Sequence, residues 1–246
     1  MTGPVDETGD EPDEGTMRRH TRLLGSAAAS LALVTPTGCA SDASNRDGMS
    51  PVDDPPGRTV ARVDVDGDGG RDLVGYRVLR GDRVRISVRT GSSGTDRRLL
   101  DTGLWPGRGG DWHGAVPLDG QPGAELVVGT TMGAHTPLFT VLTMRDGRLR
   151  VQPSPVSGAR EWYVDAFAGG YAGWTRTSTD NEVWAVSRTV FRAGSGRLWE
   201  GEQRRFRWGS DGWVGDGRRA LRVRGQRAAA RIGGWHVPGL PRWPSP

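Results

Sequence analysis

The chain contains no lysine, so every one of its 33 basic residues is an arginine. A choice made uniformly reads as compositional bias of the genome and carries no information about phosphate recognition at particular places. The arginines are scattered among acids, with a run only near Arg218 to Arg231, which excludes the continuous basic stripe of a nucleic-acid-binding domain. A single cysteine, Cys39, excludes an internal disulfide. Apolar residues are also scarce, at 35%. The longest apolar run, Leu23 to Val34, is too short for a bilayer, which takes about 20 residues. No Gly-x-Ser-x-Gly elbow or phosphate-cradling glycine loop is present, and the body's histidines, His113 and His135, stand at no metal-ligand spacing.

What the chain has in quantity is glycine (39), proline (16) and tryptophan (10) in its 246 residues. Glycine and proline suit many short strands joined by turns, and each tryptophan can bury a large area where aliphatic side chains are few. The composition predicts an all-β, turn-rich fold with a modest core.

Residues 1–16 are acidic and lack apolar pattern, and the character changes at Met17. Arg18, Arg19 and Arg22 form a positive head, Leu23 to Val34 an apolar run, and Thr37-Gly38-Cys39 a small-residue close. That order is the order of an export signal over 17–38, with the acidic leader an extension upstream of the true start. The lone cysteine falls where the bacterial lipobox places its lipidated residue, which makes Cys39 the candidate lipidation site, although Pro36 replaces the usual aliphatic. Residues 39–58 are polar and proline-containing, as in a flexible tether.

From Thr59 the pattern has period two. Strands are expected at Thr59 to Val65, Leu73 to Leu79, Val84 to Val88 and Leu99-Leu100. A second set is expected at Phe139 to Met144 and Leu149 to Val151, and longer strands at Glu182 to Phe191 and Arg197 to Trp208. Between the first two lies Asp64-Val65-Asp66-Gly67-Asp68-Gly69-Gly70-Arg71-Asp72-Leu73. Carboxylates so crowded repel one another unless a cation neutralises them, and a hard cation such as calcium takes six to eight oxygens. A weaker copy, Val116 to Gly129, follows about 53 residues later with Asp119 and Glu125 in place of Asp66 and Asp72. Pro117 and Gln121 replace the other two acids, so this copy is expected to keep the turn and to lack the ion. A third unit is expected from Trp162-Tyr163-Val164-Asp165, and a loosely ordered basic tail from 218 to 246.

Loop and repeat together resemble FG-GAP/VCBS repeats, the calcium-loop units of integrin-type β-propellers, whose loop reads Asp-x-Asp-Gly-Asp-Gly-x-x-Asp followed by an apolar residue. The resemblance implies that Asp64, Asp66, Asp68 and Asp72 supply side-chain oxygens to Ca2+ and that Gly70 offers its carbonyl. Secreted actinobacterial lipoproteins with degenerate repeats look similar overall. Residues 59–217 hold too few units for a full propeller, so a small or incomplete β-propeller-like array of antiparallel sheets is expected, with a β-sandwich or barrel as the alternative.

The resulting expectation is an exported, non-enzymatic protein, lipid-anchored at the outer face of the membrane or secreted. It carries a structural calcium loop and a surface for a cell-wall or extracellular glycan or a protein. The alternative is an extracytoplasmic hydrolase of envelope or extracellular polymer, using His113 and His135 or acids such as Glu200 and Glu202. Trp162, Trp174, Trp184, Trp199, Trp208 and Trp213 are either core or sugar-stacking platforms, and core is the expected reading.

Overall fold

A computed structural model describes residues 57–107, 109–179 and 182–243. The acidic leader, the segment expected to be an export signal, Cys39 and nearly all of the expected tether lie outside the described residues. The described chain is all-β apart from one short helix, in three open sheets, none of which closes into a barrel.

The first sheet is a four-stranded meander of β1 (Arg58–Val63), β2 (Asp72–Leu79), β3 (Arg83–Thr90) and β4 (Gly94–Asp101). Period-two alternation decides its faces, since successive side chains of a strand point to opposite sides. Val74, Tyr76, Val84, Ile86 and Val88 are buried on one face, while Leu73, Gly75, Arg77 and Arg85 lie on the other.

The second sheet repeats the order with β5 (Asp111–Val116), β6 (Glu125–Met132), β7 (Pro137–Arg145) and β8 (Arg148–Val151). A further strand, β9 (Glu161–Tyr163), pairs with Leu138 to Thr140 of β7, ahead of β8, which pairs with Leu142 to Arg145. The third sheet runs β10 (Asp165–Phe167), β11 (Gly170–Thr179), β12 (Glu182–Arg192), β13 (Leu198–Trp208) and β14 (Trp213–Arg224). After the helix α1 (Gln226–Ala230) the chain returns as β15 (Gly234–His236), parallel to β11.

The second sheet lies between the other two in packing terms. Leu126, Val128, Leu142 and Met144 join a cluster with Val74, Ile86 and Val88 of the first sheet. Val127, Phe139 and Val141, on its opposite face, join Trp174, Ala185 and Phe206 of the third. A sheet covered on both faces needs apolar residues at consecutive positions, which is why Leu126-Val127-Val128 breaks the alternation seen elsewhere. Of the tryptophans expected in the core, Trp162, Trp174, Trp184 and Trp199 are buried, whereas Trp208 and Trp213 are half-buried.

Two expectations are corrected. Residues 218–243 are not a loose tail: β14 pairs along the whole of β13, Trp235 is fully buried among His113, Phe139 and Trp162, and Trp243 packs on Trp105. The arginines of β14 obscured this in the sequence, because an edge strand carries charge where an inner strand carries apolar side chains. Nor does Trp162 open a third unit. Glu161 to Tyr163 closes the second sheet, and the third begins at Asp165, a residue held at φ 66 where the chain changes sheet.

Burial of the C-terminal segment predicts a large stability cost for its loss. Trp235→Ala is expected to destabilise the protein by about 3–5 kcal/mol, read from urea unfolding, against less than about 0.5 kcal/mol for a substitution at exposed Arg219.

Candidate metal centre

The β1–β2 loop is held by its own backbone N–H groups before any ion is considered. Asp64 accepts from Gly67 at 2.6 Å on Oδ1 and from Gly69 at 2.9 Å on Oδ2. Asp66 Oδ1 accepts from the Asp68 N–H at 3.2 Å, and Asp72 Oδ2 accepts from Val65 at 2.7 Å and Asp66 at 3.4 Å. Gly67 turns the chain at φ 81 and has no room for a side chain, since a Cβ there would lie 2.5 Å from Pro122 of the neighbouring loop. That neighbour also donates Ala124 N–H to the Asp64 carbonyl at 2.9 Å, so the two loops are joined backbone to backbone.

Of the predicted ligands, the structure brings together Asp64, Asp66 and Asp72, with one oxygen of each within 4.8 Å of the others. Two oxygens bound to one calcium at about 2.3–2.6 Å stand no farther apart than roughly 5 Å, so the three carboxylates fit that ion. Asp68 lies outside the group, and its Oδ1 accepts the Gly70 N–H at 2.6 Å. The crowding is electrostatically felt. Burial and then the charges of Asp66 and Asp68 push the Asp72 carboxyl up, against the backbone N–H groups that favour its ionised form. Asp66 is also pushed up by burial, but the hydrogen bonds from Ser92, the Asp68 N–H and Thr90 prevail and hold it below the usual carboxylate range.

The second loop is the internal control. Glu125 Oε2 accepts from Leu118 at 2.6 Å and Asp119 at 3.4 Å, reproducing the bonds of Asp72. Asp119 Oδ1 accepts from Gln121 at 2.8 Å, as Asp66 does from Asp68. What differs is the cation. Arg145 Nη2 lies 2.5 Å from Asp119 Oδ2 and 3.8 Å from Glu125 Oε1, with Gln152 donating to Asp119 at 2.6 Å and Thr143 to Glu125 at 3.1 Å. Burial first, and then the Asp119 charge beside it, push the Glu125 carboxyl up, because one guanidinium serves two buried acids. Register places Ser92 where Arg145 stands: Val74 pairs with Val88 and Val127 with Val141, four residues before each. Ser92 donates its hydroxyl to Asp66 Oδ2, but it brings no positive charge. The second loop keeps the turn expected of it. The sequence reading missed Arg145 and Gln152, although extending the 53-residue offset past the loop leads straight from Ser92 to Arg145.

The groups named for hydrolytic chemistry do not converge. His113 is buried against Phe139 and Trp235, while His135 is exposed on the β6–β7 connection. Glu200 and Glu202 form cross-strand ion pairs with Arg222 and Arg218.

No protein-family model, curated protein or solved structure matches the chain.

Among the described residues Arg145 is the one cation paired with Asp119, whose side chain has no exposed surface, so removing the guanidinium strands a buried anion. Arg145→Ser is expected to cost about 3–5 kcal/mol in denaturant unfolding, and added calcium to recover part of that loss by entering the vacated position.

Proposed function

We propose that this is an exported, lipid-anchored protein of the cell envelope, with a structural calcium loop and a non-enzymatic binding surface. The observation that carries the reading is the pair of loops. The same turn appears twice, with matching carboxylate-to-backbone bonds, and one copy supplies its own guanidinium while the other gathers three carboxylates and has a neutral serine, bonded to Asp66, at the guanidinium's register position. Calcium would be held by Asp64, Asp66 and Asp72, with Asp68 and the Gly70 carbonyl as the further ligands that the FG-GAP/VCBS resemblance implies. When bound it supplies positive charge alone, and the chain's own residues turn that charge into rigidity. Because Asp64 also accepts Ala124 N–H, fixing the first loop fixes its junction with the second. The export signal over 17–38 and the placement of Cys39 support location at the outer face of the membrane.

Calcium binding to the folded state alone stabilises by mass action, about 1.4 kcal/mol at ten times Kd. For a domain of this size that corresponds to a rise of roughly 3–6 °C in Tm. Thermal unfolding with calcium and with a chelator should show that rise in the parent protein and none in Asp66→Ala/Asp68→Ala. Absence of the rise in the parent sinks the calcium reading.

Cys39→Ser should move the protein from the membrane fraction to the medium in an exporting bacterial host. A parent protein already found wholly in the medium would remove the anchor from the proposal while leaving export intact.

A further inference from the structure

The face of the third sheet that packs on the second runs on past it. Trp174 of β11 stands beside Ser187, and Ala185 beside Phe206, and these rows carry core side chains. Two residues along from Ser187 the same face carries Thr189 and Glu202, and two further again Phe191 and Glu200. On β14, Arg218 and Arg222 stand opposite Arg204 and Glu200. Val156, in the β8–β9 connection, and Tyr163, at the end of β9, face these positions across a cleft of about 440 Å³. That wall is pinned to the sheet at two points. Trp174 Nε1 donates to the Tyr163 carbonyl and Trp213 Nε1 to the Pro153 carbonyl, each at 3.1 Å.

The two ends of the cleft differ in chemistry. At one end three rings follow in edge-to-face contact, Tyr163 on Phe167 at 6.3 Å and Phe167 on Phe191 at 5.0 Å. Gly170 makes room for the middle ring, since a Cβ there would lie 2.6 Å from it, and half of Phe191 stays open to solvent. At the other end Arg218 Nε donates to Glu202 Oε2, and the Arg204 guanidinium lies over the Phe206 ring at 5.1 Å. Ser187 and Thr189 line the stretch between.

The Glu202–Arg218 pair answers its own charge, so the pair needs no ionic ligand. It keeps hydrogen bonds to give, because a carboxylate offers about four lone-pair sites and a guanidinium five N–H donors. A matching ligand both donates and accepts, carries no net charge and presents an apolar face to Phe191 and Tyr163. A sugar ring has all three properties: each hydroxyl donates and accepts, and its axial C–H groups form a flat apolar patch. An extended peptide also donates and accepts, but it gains affinity by adding to a free strand edge. Here β12 and β13, which carry most of the lining, are interior strands paired on both sides.

We infer that this cleft is a saccharide-binding site, taking a neutral, β-linked oligosaccharide whose rings lie against Phe191 and Tyr163 and whose hydroxyls bridge Glu202 and Arg218. Equatorial linkage makes such a chain a flat ribbon with C–H groups on both faces, which suits a slot between an aromatic wall and a sheet. This gives a place and a ligand class to the binding surface of the proposed envelope protein and rests on that reading for its setting. The cleft and its chemistry require neither export nor calcium, so either idea can fail alone.

The test titrates the purified full-length protein with cellohexaose and with the N-acetylglucosamine hexamer, up to millimolar concentration, in calcium and in chelator. At least one should bind, equally in both buffers, with an affinity nearly independent of salt, because no net charge is neutralised. Phe191→Leu, which keeps an apolar side chain on Phe167 but loses the flat ring, should weaken binding roughly fivefold or more. Phe191→Tyr, which keeps the ring, should bind as the parent does. Glu202→Ala/Arg218→Ala should weaken binding about tenfold with little change in Tm, since a partly exposed ion pair adds little stability. Leu104→Ala, at an exposed apolar residue outside the cleft, should leave it within about twofold. Binding of neither probe, a loss in Leu104→Ala equal to that in the cleft variants, or tighter binding of polygalacturonate or of unfolded β-casein than of both neutral probes would overturn it.

Discussion

Carboxylates gathered where one strand turns into the next have to be neutralised, and the architecture depends on how that is done. In both loops an acid at the head of the second strand, Asp72 or Glu125, spends one oxygen on two backbone N–H groups of the preceding turn. That bond sets the entry of the chain into its sheet and is independent of any ion. A second acid, Asp66 or Asp119, is then brought close to the first, and the charge this concentrates must be answered. In the second loop the answer is Arg145, reached from the end of β7. In the first, the proposed answer comes from solution.

The placement of these loops explains why their electrostatics matter beyond their own residues. The second sheet is covered on both faces, and each loop sits at the margin where one sheet meets the next. Gly67 lies against Pro122, Gly123 against the Val65 carbonyl, and Gly120 against Val183 of the third sheet. A loop loosened by unbalanced charge would therefore loosen an inter-sheet seam. Packing density in such a seam leaves no space for a Cβ at these glycines, and mobility in one loop is transmitted as misfit in the next.

Much of this was legible from residue order. Strands β2, β3, β7, β8, β12 and β13 announced themselves by alternation, and the three converging acids by their spacing. The loop repeat was legible as well, because Asp119 and Glu125 keep the spacing of Asp66 and Asp72, and with it their bonds to the backbone of the turn. The rest was hidden for physical reasons. Sheet membership of Trp162 depends on which strand offers a free edge, and no local pattern records that. An edge strand such as β14 carries arginine on both faces, so its periodicity vanishes from hydropathy. Arg145 answers a charge 26 residues away in the chain, and only the hairpin geometry brings the two together.

The parallel pairing of β15 with β11 ties Gly234 to Gly173, beside the place where β10 leaves the same edge. A ribosome or an export channel delivers these partners in strict order, with the whole of β12, β13 and β14 between them. Until the last segment has emerged, the middle of β11 presents unpaired N–H and C=O groups along an edge whose flanking side chains are apolar. The third sheet is thus complete only when β15 has joined it. A polypeptide stalled before β15 would carry an open edge able to pair with another copy of itself, which makes the arrival of β15 the step that closes this edge of the sheet.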